Sequence, residues 1–73
     1  MNKLDYLEKC ILNFIVDYKK SAGKSPTLTE VATNTGVDHL SLDLNMQSLS
    51  KKGFIIFSSN VSRSIQILKL PEN

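Results

Sequence analysis

Asp43, Asn45 and Gln47 carry, at alternate positions, the polar groups that proteins use to bind the edges of base pairs. A carboxylate accepts a hydrogen bond from the amino group of cytosine, and the amides of Asn and Gln pair with adenine. Leu44 lies among them and offers an apolar contact to the methyl group of thymine. Residues 43–47 therefore have the chemistry of a surface that recognises the major groove of DNA.

Positive charge for the phosphates comes from other positions. Lys51 and Lys52 follow the polar stretch, although such pairs are usually only part of a solvated face, and Arg63 stands alone among serines. Arg63 has no structural role evident from sequence and is the strongest single candidate for a phosphate or minor-groove contact. The candidate DNA-binding residues are Thr27, His39, Ser41, Asp43, Leu44, Asn45, Gln47, Lys51, Lys52 and Arg63. Three or four phosphate contacts predict a salt slope of about −3 to −4 and weak binding by a monomer.

Composition excludes several other classes of function. The chain has 73 residues and a formal net charge of +2, so it forms one small domain. Cys10 and His39 are the single cysteine and the single histidine, too few for an internal disulfide or a metal cage, and no glycine-rich loop or catalytic arrangement is present. We expect no enzyme activity, cofactor or metal. The absence of a long apolar run or signal-peptide pattern predicts a cytoplasmic protein with no membrane partner.

Three helices are predicted to position the candidate residues. The first runs from a cap at Asn2 to about Ala22 and ends at Gly23, with apolar residues at helical spacing. Its predicted core-facing stripe is Leu4, Leu7, Ile11, Phe14, Ile15 and Tyr18.

The second and third helices have the pattern of a helix-turn-helix. Thr27-Leu28-Thr29-Glu30 is a capping box that starts the second helix, which ends at Asn34-Thr35-Gly36. Asp38 caps the third helix, which ends at Gly53. Two helices joined by so short a turn containing glycine are typical of this motif. The third helix is predicted to bury Leu42, Met46 and Leu49 and to expose the opposite side.

Two strands are predicted to follow the helices. Residues 54–57 and 65–70 are rich in Ile, Leu and Phe, and residues 58–64 form a polar loop between them. The order of elements predicts an α+β winged helix-turn-helix domain over residues 1–70, with a short C-terminal tail at 71–73. In this fold the hairpin covers the open side of the three-helix core, and its loop is the wing.

Motifs along nearly the whole chain resemble the winged helix-turn-helix DNA-binding domain of the LexA repressor family. The matching residues are Ile15, Asp17, Gly23-Lys24-Ser25-Pro26-Thr27, Glu30-Val31-Ala32, Gly36-Val37, Leu49, Lys52-Gly53 and Ser62-Arg63-Ser64-Ile65. The resemblance implies that the third helix enters the major groove and that the wing contacts the backbone. Counted from the Lys-Gly pair, Asp43 matches an acidic residue of that family's recognition helix. The self-cleaving peptidase domain of the family, with its dimer interface, has no counterpart in these residues, so we expect no self-cleavage.

The sequence alone leaves two functions open. The first is a small stand-alone winged-helix protein that binds double-stranded DNA and acts as a transcriptional regulator or co-regulator. The second is a winged helix that binds another regulator, a DNA-associated enzyme or a second copy of itself. The second interpretation rests on two pairs of apolar residues outside the predicted core, Leu12 with Val16 on the first helix and Leu40 with Leu44 on the third. For each pair, extra core or partial burial under the hairpin is an alternative at least as good as a partner site.

Overall fold

The computed structural model describes residues 4–58 and 60–71, and in them three helices precede a two-stranded antiparallel hairpin. The helices are α1 (Tyr6–Ala22), α2 (Leu28–Thr35) and α3 (His39–Lys51), and the strands are β1 (Ile55–Ile56) and β2 (Gln66–Ile67). This order confirms the predicted α+β winged helix-turn-helix. Within the described residues, none of the helices combines the length and the apolar character needed to cross a membrane.

The start of α1 differs from the prediction. The predicted cap, Asn2, lies outside the described residues, and the helix begins at Tyr6 with Asp5 as its extended N-cap residue. The backbone N–H of Asp5 donates to Oε1 of Glu8 at 2.9 Å, which satisfies an amide that the first helical turn leaves unpaired. The predicted end is correct, because Gly23 adopts the left-handed conformation (φ 73°) that closes the helix.

The buried face of α1 lies roughly 80° around the helix from the predicted stripe, at about 100° per residue. Its buried residues are Glu8, Ile11, Leu12, Ile15 and Val16. Leu12 and Val16 are core residues, so the prediction that they form a protein interface is wrong, and Leu7, which was predicted to be buried, is exposed. The spacing of the buried set is regular, but its first member is a glutamate, a residue type that is rarely buried unless it is paired.

The helix-turn-helix is formed as predicted. The hydroxyl of Thr27 accepts from the N–H of Glu30 at 3.1 Å, and the Glu30 carboxylate accepts from the N–H of Thr27 at 2.8 Å. Gly36 ends α2 with a φ of 74°, and the carboxylate of Asp38 accepts from the N–H of Ser41 at 2.8 Å at the start of α3. The caps therefore fix both ends of the turn that sets α3 against α2.

The hairpin is shorter than predicted. Each strand has two residues instead of four or six, and the register pairs Ile55 with Ile67 and Ile56 with Gln66. Phe54, Ile55 and Ile65 are nonetheless buried and join the core formed by the three helices. Burial of apolar side chains, more than ladder hydrogen bonds, therefore holds the hairpin on the helices.

Candidate nucleic-acid interface

Helix α3 presents one face to the core and one to solvent, as predicted. Leu42, Met46 and Leu49 are buried. The opposite face exposes Leu40, Asp43, Leu44, Gln47 and Lys51. Leu40 and Leu44 are 74% and 61% exposed, values that set them apart from the leucines of the core. In the residues that the structure describes, the outward face of α3 carries no Lys or Arg before Lys51. Direct contacts to bases along this face must therefore come from a carboxylate, amides and apolar groups.

Two hydrogen bonds on α3 involve the side-chain amides that are predicted to contact bases. The amide nitrogen of Asn45 donates to the carbonyl of Ser41 at 2.8 Å, and that of Gln47 donates to the carboxylate of Asp43 at 3.4 Å. Bidentate pairing with adenine uses both the oxygen and the nitrogen of an amide. Because a side-chain amide has two N–H donors, neither bond by itself prevents such pairing, and Asn45 is half-buried whereas Gln47 is exposed.

The wing and the start of α3 border one continuous surface. A cleft of about 340 Å³ lies between the hairpin and the start of α2. It is lined by the wing and its flanking residues (57–58 and 60–65), by residues 26–29, and by His39. A second depression lies along α3, between Leu28, His39 and Asp43. Because Leu28 and His39 line both depressions, the wing is adjacent to the face that carries the predicted base-contacting residues.

Arg63 is held by three groups from distant parts of the chain. Its Nη1 donates to Oε1 of Glu30 at 3.0 Å, to the carbonyl of Ser25 at 3.1 Å and to the hydroxyl of Tyr18 at 3.4 Å. Arg63 therefore has structural partners that its sequence context does not reveal, and its contact with phosphate or the minor groove stays a prediction. Its three partners lie in α1, in the α1–α2 connection and in α2, so no local pattern reveals them.

Glu30 is charged throughout the physiological range. The N–H of Thr27, followed by the Tyr18 hydroxyl and the Arg63 guanidinium, lowers the pKa of Glu30 to about 2. Only part of this effect comes from the ion pair, because the capping bond to Thr27 is the largest cause. The Glu30–Arg63 pair thus forms between two groups that are both ionised at neutral pH.

Lys52 also forms an ion pair with a carboxylate. Its Nζ lies 2.7 Å from Oε1 of Glu8, whose side chain is almost fully buried. Burial raises the pKa of Glu8, but hydrogen bonds from Lys52, Ser48 and the N–H of Asp5 outweigh burial and lower it. The predicted contact of Lys52 with phosphate stays a prediction, and in this structure the ammonium neutralises a carboxylate beneath α3.

The remaining candidates lie at the starts of α2 and α3. The Thr27 hydroxyl is occupied as a cap, His39 is exposed in the first turn of α3, and Ser41 is half-buried. In the described residues, no three His, Cys, Asp or Glu side chains are grouped as metal ligands. Sequence reasoning missed Glu8, Tyr18 and Glu30 as partners of the candidate cations. The sequence indicates one of these partners, because Glu8 shares a regular helical spacing with Ile11, Leu12, Ile15 and Val16.

Comparisons with known proteins agree with this architecture. The family model of the LexA DNA binding domain matches residues 1–64. The chain is similar to the LexA repressor of Thermosipho africanus (strain TCF52B), with 32% identity over 72 residues that cover 99% of this chain and 36% of the relative. It is also similar to the LexA repressor of Thermosipho melanesiensis (30% identity; 100% of this chain, 37% of the relative) and to that of Leptospira biflexa serovar Patoc (30% identity; 94% and 34%). The chain spans about a third of the length of these relatives.

Proposed function

The chain belongs to the LexA DNA-binding domain family, and we propose that it binds double-stranded DNA and regulates transcription by placing α3 in the major groove. The observation that supports this most directly is the surface shared by the wing and the outward face of α3, on which Asp43, Leu44 and Gln47 are exposed beside the cleft at His39. A helix is about 10–12 Å across with its side chains, which matches the roughly 12 Å width of the major groove, so α3 can lie along the groove over its length of about 20 Å.

Base recognition by this helix should favour cytosine, adenine and thymine contacts over guanine contacts. Guanine is usually bound by Arg or Lys, and α3 exposes neither before Lys51 at its C-terminal end. Asp43 would accept from a cytosine amino group, Gln47 would pair with adenine, and Leu40 and Leu44 would contact thymine methyl groups. The same exposed leucines that suggested a protein partner thus have a role in DNA binding.

Phosphate contacts should be few. Lys51 is exposed at the end of α3, while Lys52 and Arg63 are paired with carboxylates, so their use on DNA would require an ion pair to break. The N–H groups at the starts of α2 and α3 can add contacts without a full charge, and His39 is exposed beside them. Since each neutralised phosphate contributes roughly −0.9 to the salt slope, we expect a slope no steeper than about −2 for one copy.

Fluorescence anisotropy with a randomised duplex library, followed by selection of bound sequences, tests the proposal. We expect binding at low salt that weakens as salt is raised. On a selected site, Asn45→Ala and Gln47→Ala should relax the preference at particular bases, with Asn13→Ala on the exposed side of α1 as the matched control. Failure of the unmodified protein to bind any duplex at low salt would remove the proposed function.

A further inference from the structure

We propose that Arg63 is a positioning residue, which fixes the wing beside α3 and does not itself bind phosphate. The inference rests on the proposed function, because the consequence of fixing the wing is measured as DNA affinity. It changes the role that the sequence alone suggests for this arginine. The carboxylate of Glu30 becomes the second essential member of the arrangement.

The geometry around Arg63 is that of a clamp between the wing and the helices. One guanidinium nitrogen meets three acceptors, from Tyr18, Ser25 and Glu30, and the second nitrogen lies 3.5 Å from the other carboxylate oxygen of Glu30. A planar guanidinium can hold several acceptors in fixed directions, whereas a lysine ammonium is a single flexible point of charge. The contact therefore fixes the direction of the wing as well as its distance.

In the described part of the loop (58 and 60–64), Arg63 supplies the side-chain hydrogen bonds to the helices and the α1–α2 connection, whereas the flanking Phe57 and Ile65 pack on the core. The strands of the hairpin have only two residues each, and the Ser64 hydroxyl closes the loop on itself through the N–H and carbonyl of Ser58. Arg63 also adopts a left-handed backbone conformation (φ 55°), which residues other than glycine seldom adopt unless surrounding contacts fix them. The hydrogen bonds of the Arg63 guanidinium are such contacts, and Arg63 lies in the loop that would face the DNA.

Charge also favours positioning over phosphate binding. Glu30 has a pKa of about 2 and remains ionised at neutral pH, so Arg63 has a charged internal partner before DNA arrives. A phosphate would have to displace that carboxylate and would leave it close to the negatively charged backbone. Pairing with Arg63 instead neutralises Glu30, which lies in the first turn of α2.

Glu30→Gln is the decisive variant because the two roles predict opposite signs. Glutamine preserves the capping box with Thr27, so α2 keeps its start, but the ion pair to Arg63 is lost. If Arg63 fixes the wing, binding must now order that loop, and affinity for a selected duplex should fall roughly tenfold. If Arg63 binds phosphate, the variant frees the arginine and removes a negative charge, and affinity should rise. An unchanged or higher affinity overturns the proposal.

Arg63→Asn supplies an independent measurement through the salt slope. Asparagine tolerates the left-handed backbone, so the variant removes the guanidinium with little added strain. We expect weaker binding with an unchanged slope, whereas loss of a phosphate contact would reduce the slope by about 1. Lys51→Ala is the matched control, since removal of that exposed cation should reduce the slope. A reduced slope in Arg63→Asn overturns the proposal.

Two further measurements protect the test against misfolding and against failure of the proposed function. If Arg63→Asn does not fold, Arg63→Lys takes its place in the test. Lysine keeps the positive charge but lacks the planar guanidinium, so most of the affinity for DNA should be lost if the guanidinium positions the wing. Amide hydrogen exchange without DNA should accelerate in residues 60–64 of Glu30→Gln and Arg63→Asn, while α1 stays protected. Unaltered exchange in the wing overturns the positioning role even if the protein binds no DNA at all.

Discussion

Leu44 extends from α3 between Asp43 and Asn45 with most of its side chain in solvent, a costly location unless something apolar covers it. In the major groove the one apolar group that a base pair offers is the methyl group of thymine. Leu40 lies one helical turn earlier and is even more exposed. Two leucines at this spacing can contact the methyl groups of nearby thymines on one side of the groove.

Leu44→Ala should weaken binding to a selected site roughly three- to tenfold, since burial of each methyl-sized group contributes about 0.8 kcal/mol. The same loss should follow from replacing the contacted thymine with uracil, which lacks only the methyl group. With both changes together, the losses should not add, because they remove the two halves of one contact. Anisotropy titrations of the four combinations measure this coupling, and Leu7→Ala on α1 is the control. Fully additive losses would contradict the contact.

Single residues also show what a sequence conceals. The outward position of Asp43, Leu44 and Gln47 followed from helical period alone, because α3 has a clear apolar side. The roles of Arg63 and Lys52 did not follow, since each depends on a carboxylate that is distant in sequence and becomes adjacent only after α1 and α2 pack. A cation near a predicted interface cannot be assigned to phosphate until its internal partners are known.

At the level of secondary-structure elements, an ion pair joins α1 to the residue that follows α3, and its carboxylate is buried. Glu8 contributes its carboxylate from the first turn of α1, and Lys52 lies just after α3, where Gly53 begins the turn into the hairpin. Removing one member of such a pair leaves the other without compensation, which is far more destabilising than loss of an exposed pair.

Lys52→Ala should lower the free energy of unfolding by roughly 2 to 4 kcal/mol, because Glu8 would remain buried without its cation. Lys51→Ala, which removes the exposed neighbouring cation, should change it by no more than about 0.5 kcal/mol. Urea denaturation followed by circular dichroism gives both values. Equal stability of the two variants would show that the buried pair does not support the packing of α1 on α3.

Acid should unfold the protein partly through the carboxylates at the helix starts. Bonds from the groups of Ser41 lower the pKa of Asp38, and the N–H of Thr27 is the largest cause that lowers the pKa of Glu30 to about 2. The unfolded chain therefore binds more protons than the folded one, and stability falls as the pH falls. For Glu30 the contribution is complete above about pH 4.5 and is lost as the pH approaches 2. Urea midpoints between pH 5 and pH 2 should decline less in Glu30→Gln than in the unmodified protein, and identical profiles would contradict this.

Element boundaries were predictable where a local motif determines them. The capping box at Thr27, the cap at Asp38 and the glycines at 23 and 36 each fix a helix end through bonds or conformations within a few residues. The start of α1 and the lengths of the strands were not predictable in this way. Asp5 becomes the cap through Glu8, which also pairs with Lys52, and the hairpin depends on the burial of Phe54 and Ile55 more than on its strand pattern.

At the scale of the whole molecule, we expect the affinity for DNA to be limited by how little of the surface is positively charged. The net charge is +2, and two of the candidate phosphate-binding cations are paired with carboxylates. One copy therefore presents one short helix and few phosphate contacts, whereas specific helix-turn-helix proteins usually place two such units on half-sites about one helical turn apart. The chain also covers only about a third of the length of its relatives.

Two copies joined by a flexible Gly/Ser linker should therefore bind a duplex with two selected sites about 10²- to 10⁴-fold more tightly than a single copy does, because the second binding event becomes intramolecular. The gain should be greatest when the sites are about 10 base pairs apart, or a multiple of that spacing, since only then do both copies of α3 meet the same side of the DNA. Half-turn spacing and a scrambled second site are the controls. If the linked protein shows no gain at any spacing, a single copy already makes every contact that the fold provides, and the low charge of its surface does not limit binding.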